Sequence, residues 1–114
     1  MDSYFEQFES DVMRRIIAEN ADISDVLTKQ YQSAKVIGRD FTGVGFFTDF
    51  EIPDADLRLT SHSNLELGAV QVKLESLKFG AGFVLFIRDG LIQSLECYTY
   101  GEPWPENVNG YMLE

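Results

Sequence analysis

The sequence predicts an α+β domain in which two N-terminal helices pack on one face of a four-stranded antiparallel meander sheet. Three observations carry this expectation. Apolar residues recur at three- and four-residue spacing through the first third of the chain. From Arg39 onward they alternate every second position. Near the C-terminus Asp89-Gly90 lies between two β-rich runs, the composition of a two-residue type I′ hairpin with φ > 0 at both central positions.

The first helix is expected over about 3–19. Ser3-Tyr4-Phe5-Glu6 has the form of a capping box, and Phe5, Phe8, Val12 and Ile16 make an apolar stripe beside Tyr4, Met13 and Ile17. Glu6, Glu9, Asp11, Arg14 and Arg15 are assigned to the polar face, acids early and bases late. A second helix over about 23–36 follows, with Asp22 as N-cap, Ile23, Val26, Leu27, Tyr31 and Ala34 as its stripe, and Gly38 beyond its end.

Strands are expected at about 39–51, 66–76, 80–88 and 91–100. The first contains Gly43 and Gly45, read as a bend, a bulge or a close approach of another group. A loop containing Pro53 and the one histidine, His62, separates it from the second. The tail 101–114 holds Pro103-Trp104-Pro105, which removes ladder donors, so an extended segment anchored by Trp104 is expected, with the last residues unstructured. All of this fits one domain over 1–114.

In the hairpin, a two-residue loop pairs residues whose numbers sum to 179: Arg88 with Leu91, Ile87 with Ile92, Phe86 with Gln93, Phe83 with Glu96. That register puts Phe86, Val84, Leu95 and Cys97 on one face. It puts Ile87, Ile92, Leu85, Phe83 and Tyr98 on the other. Both faces are then apolar, and each needs a cover.

The formal net charge is −10, unevenly spread. Asp40, Asp49, Glu51, Asp54 and Asp56 fall in a stretch with no Lys or Arg, and no base follows Arg88. Such a field disfavours nucleic acid and anionic membrane surfaces, whose phosphates need cations. It favours a basic protein partner. No run reaches the length of a membrane span. An acidic N-terminal stretch and a single cysteine, Cys97, point to a reducing cytoplasm.

Motifs for catalysis or metal binding do not emerge: no zinc cluster, Walker loop or nucleophile elbow, and hence no catalytic residue, metal or cofactor is expected. Cys97 reads as a small buried hydrophobe and His62 as a solvated loop residue. Glu96 stands out, because the 179 register sets a carboxylate among Phe83, Leu85 and Tyr98. Burial there favours the protonated form unless a cation such as Arg39 pairs with it. Glu96, Phe83, Tyr98 and Asp49 therefore form a candidate ligand site. Asp49, Glu51, Asp54 and Asp56, with Glu102 and the aromatics Tyr100 and Trp104, form a candidate partner surface.

The run Phe83-Val84-Leu85-Phe86-Ile87-Arg88-Asp89-Gly90, then Leu95-Glu96-Cys97-Tyr98-Thr99-Tyr100-Gly101-Glu102-Pro103-Trp104-Pro105, resembles the C-terminal hairpin and aromatic tail of small uncharacterised bacterial cytosolic proteins. Some proteins of this size and acidity look like immunity proteins that neutralise a toxin. The likeness spans roughly residues 80–106 and brings no active-site residue. It implies a bacterial cytosolic domain and favours an immunity or inhibitor role. Three functional expectations follow: a non-enzymatic acidic interaction domain, a small-ligand or enzyme-like site at Glu96, or a homodimer formed through the second sheet face.

Overall fold

A computed structural model describes residues 3–108 and 110–114, together with the side chains of all of these but Ser3 and Ala69. The Ser3 half of the expected capping box thus lies outside what is described. Helix α1 (Ser3–Ala18) is followed by α2 (Ser24–Ser33), then strands β1 (Lys35–Phe41), β2 (Gly45–Glu51), β3 (Leu65–Leu74), β4 (Leu77–Arg88), β5 (Leu91–Thr99) and β6 (Tyr111–Leu113). The strands form one antiparallel sheet in the order β1-β2-β5-β4-β3-β6. The class is α+β, but the four-stranded meander is overturned.

Three physical reasons account for the difference. First, the expected strand over 39–51 is a hairpin: the chain reverses between Phe41 and Gly45, and the Thr42 N–H donates to the Gly45 carbonyl at 3.0 Å. Gly45 is required there, since a Cβ on it would fall 1.9 Å from the Cys97 carbonyl oxygen on β5. Second, β2 pairs with β5 rather than with β3. The connection 52–64 carries the chain past the β4–β5 turn, where the Leu59 N–H donates to the Gly90 carbonyl at 2.9 Å and the Gly90 N–H to the Ser63 carbonyl at 2.8 Å. Third, the C-terminal residues are structured as β6, an edge strand on β3. Tyr111 fixes it, packing on Phe8 at 4.9 Å and donating its hydroxyl to Asp11 of α1.

The second helix starts at Ser24 without a side-chain cap, so Asp22 does not cap it. It ends at Ser33, and Gly38 lies within β1 instead of closing a helix.

Asp89 and Gly90 do form the tight turn, with φ of 54° and 74°. Arg88–Leu91 and Ile87–Ile92 pair as expected. Beyond them a β-bulge at Gln93 shifts the register by one, so Phe86 faces Ser94, Val84 faces Glu96 and Phe83 faces Cys97. A one-residue slip exchanges faces. Phe83, Leu85, Ile87, Ile92, Leu95 and Cys97 now share the buried face, while Val84, Phe86, Glu96 and Tyr98 share the other.

Most of the apolar side chains, and all the fully buried ones of the hairpin, therefore gather on one side. There α1 and α2 lie over the sheet, and Phe8, Val12, Met13, Ile16 and Leu27 meet Phe46, Val70, Phe83, Leu85 and Leu95. Each such side chain contributes about 1.5–3 kcal/mol on burial. Trp104 closes one end of this core, 5.3 Å from the Phe46 ring and 6.1 Å from that of Phe8. The expectation of two apolar faces holds only in part: the outer face keeps Phe47, Val84, Phe86 and Tyr98 but sets Asp49, Ser94 and Glu96 among them.

Candidate functional site

With the helices on one side, the opposite face of the sheet presents three rows of side chains across its central strands. One row runs Asp49, Ser94, Phe86, Glu66. The next is Phe47, Glu96, Val84. The third is Gly45, Tyr98, Gly82, Gln71. Phe47, Val84, Phe86, Glu96 and Tyr98 are each half-buried by their neighbours in the sheet.

Glycine at 82 permits this packing, because a Cβ there would fall 2.5 Å from the Tyr98 ring. Tyr98 covers that gap and meets Tyr100 edge-on at 5.8 Å. The Tyr100 hydroxyl donates to Gln71 Oε1 at 2.7 Å. Burial in this aromatic row, then the neighbouring Tyr100, push the Tyr98 hydroxyl above its usual pKa. At the other end of the face Arg88 lies 5.2 Å from the Phe86 ring and 3.4 Å from the Glu66 carboxylate.

The candidate ligand residues divide between the two sides. Glu96, Tyr98 and Asp49 are together on the outer face, whereas Phe83 is buried under the helices. Glu96 makes no hydrogen bond or ion pair among the described residues; it sits between Phe47 and Val84 on an open surface. Arg39, expected as its partner, points through the opposite face. There its Nη2 donates to Glu9 Oε1 at 2.8 Å and its Nε to Oε2 at 3.3 Å, while the Thr48 hydroxyl donates to Oε2.

Glu9 itself, assigned to the polar face of α1, is only 4% exposed. Its position could have been read from the sequence, because it stands four residues from both Phe5 and Met13 and so falls on the apolar stripe.

The candidate partner residues lie at two ends of the molecule. Asp49 and Glu51 flank the outer face on β2, with the short 3-10 turn Ala55–Leu57 just beyond. Asp54 caps that turn, accepting from the Asp56 N–H at 3.0 Å, and Asp56 is exposed within it. Tyr100, Glu102 and Trp104 lie at the far end of β5, about 20 Å away at the rise of a strand. Trp104 belongs to the core cluster, and the Glu102 carboxylate accepts from the N–H groups of Lys78 and Phe79 at 3.0 and 3.1 Å, holding the start of β4.

Cys97 is buried, and burial pushes its thiol well above the usual range. His62 is exposed in its loop beside the Ser61 hydroxyl. Tyr111 is pushed up to about 12, by burial first and then by the Asp11 carboxylate it donates to. Among the described residues no three His, Cys, Asp or Glu side chains come together as a metal site. No described helix is long and apolar enough to cross a membrane.

Two of the cavities among the described residues lie on the helix side of the molecule. A cleft of about 540 Å3 runs between α1 and α2, lined by Arg14, Ile17, Thr28 and Tyr31 among others. A groove of about 370 Å3 opens at the β1–β2 hairpin tip against the tail.

Comparison with known proteins found no matching family, no matching curated protein and no matching solved structure.

Proposed function

We propose that this chain is a non-enzymatic interaction domain that binds a basic protein partner through the outer face of its sheet, an immunity or inhibitor role in a bacterial cytoplasm being the sharpest form of that reading. The observation that carries it is the composition of that face. Half-buried Phe47, Val84, Phe86 and Tyr98 form a contiguous apolar centre, and Asp40, Asp49, Glu51, Glu66 and Glu96 share the same side. Bases on that side, among them Lys35, Lys73 and Arg88, sit toward its margins, and Arg88 is already engaged by Glu66.

Apolar and aromatic groups at a centre supply the desolvated contact of an interface, while surrounding charge sets the partner's sign and the encounter rate. The same centre lies open on a flat sheet rather than in a cleft, so it offers little exclusion of water around Glu96. That geometry favours a protein surface over a small-molecule site.

The test is affinity capture with two charge-reversed proteins. One carries D49K, E51K and E96K on the outer face; the control carries E19K and D25K on the exposed side of the helices. A basic partner retained by wild type and control, lost by the triple variant, and associating more slowly as salt rises supports the reading. A partner held equally well by the triple variant sinks it.

A further inference from the structure

We propose that the groove at the β1–β2 hairpin tip binds the alkylammonium head of a small organic cation. This goes beyond the interaction surface above, because the groove opens on the helix side of the sheet, where Phe41 meets Phe5 and Phe46. Its volume, about 370 Å3, falls in the range of small-ligand sites.

The lining decides the chemistry. Phe5, Phe41, Trp104, Pro105 and Val108 make it apolar and largely aromatic, and Glu106 is its one charged residue. The rings stand as walls: Phe41 meets Phe5 at 5.7 Å and 60°, and Trp104 meets Phe46 at 5.3 Å and 68°. Aromatic faces beside a carboxylate attract a cation, and a methylated ammonium loses less hydration on entering than a bare one. The fold already places one cation on this cluster, since the Arg39 guanidinium lies 5.3 Å from the Phe5 ring with its charge answered by Glu9. Phe41, 45% exposed, and Trp104 are the walls left to a ligand.

The walls are also held in place before any ligand arrives. The Trp104 N–H donates to the Gly43 carbonyl at 2.8 Å, tying the tail to the hairpin tip. A groove so fixed avoids the ordering cost that binding would otherwise carry.

Trp104 is the only tryptophan of the chain, so its fluorescence reports on this groove alone. Titration at constant ionic strength would compare choline with 3,3-dimethylbutan-1-ol, its uncharged isostere. Choline is expected to give a saturating change and to bind about fivefold tighter than the alcohol. Phe41→Leu, at an exposed position that keeps apolar bulk, is expected to weaken choline about threefold and leave the alcohol unchanged. Glu106→Gln is expected to act the same way.

The proposal is overturned by no saturation with choline up to about 50 mM, by equal binding of the two compounds, or by a Phe41→Leu effect common to both. None of these results bears on the outer face, whose readout is capture of a protein.

Discussion

At the scale of single residues, the most consequential group is Glu9, a buried carboxylate under the first helix whose partners among the described residues are Arg39 and Thr48. The three form a closed set, with both carboxylate oxygens accepting and the guanidinium fork engaged at 2.8 and 3.3 Å. Removing one partner of such a pair leaves a buried charge without its counterion, and costs more than the pair itself contributes. R39M is therefore expected to destabilise the protein by about 3 kcal/mol. Adding E9Q to it should return part of that loss, because the neutral amide no longer needs a cation. Urea unfolding of the two single variants and the double variant measures this directly. Additive losses would show that Glu9 and Arg39 do not act as a pair. The set also explains why Glu96 stands alone: the one arginine of β1 is spent on the other side of the sheet.

Elements are where the sequence was legible in places and misleading in others. The Asp89-Gly90 turn was readable because its two positive φ values depend only on the residues that adopt them. The helices were readable for a similar reason, the stripe of Phe5, Phe8, Val12 and Ile16 being a local pattern. The bulge at Gln93 was not, because alternation through Leu91-Ile92-Gln93-Ser94-Leu95 reads the same with or without an extra residue. Gly43 and Gly45 announced a special backbone, but only the Cys97 carbonyl on a distant strand turns that into a hairpin against β5. The strand β6 has three residues and no local signal; it exists because Val72 and Leu74 offer it an edge and Asp11 holds Tyr111.

The candidate site inherited the same error. One slipped residue sent Phe83 to the core and brought Phe86 and Val84 out beside Glu96. The bulge makes a sharp prediction. Deleting Gln93 removes only the unpaired residue and keeps Leu95 and Cys97 facing inward, so the fold should survive at a cost below about 2 kcal/mol. Deleting Glu96 instead turns Cys97 and Thr99 toward solvent, or turns the fully buried Leu95 outward if the bulge at Gln93 is lost to compensate, and should cost far more than deleting Gln93. Circular dichroism with thermal melting separates the two. A protein lacking Glu96 that melts as high as one lacking Gln93, or an unfolded one lacking Gln93, would refute the observed register.

For the molecule as a whole the deciding quantity is a formal charge of −10 on 114 residues. Self-repulsion at this density opposes the compact state, and dissolved salt screens it over a Debye length of about 8 Å at physiological ionic strength. Among the described residues, the four ion pairs other than Glu9–Arg39 involve at least one largely exposed side chain, so screening them costs little stability. Raising sodium chloride from 20 to 500 mM should therefore stabilise the fold, lifting Tm by about 5 °C. Association with a basic partner should respond in the opposite sense, because the same screening removes the attraction that steers encounter. The two measurements on one protein thus move apart as salt rises: the melting temperature climbs while the association rate falls. That divergence separates a loss of binding from a loss of structure, which a single salt titration of binding alone would confuse. If Tm falls with salt, attractive surface pairs outweigh the net repulsion, and the acidic field is a set of local contacts rather than a surface offered to a cationic partner.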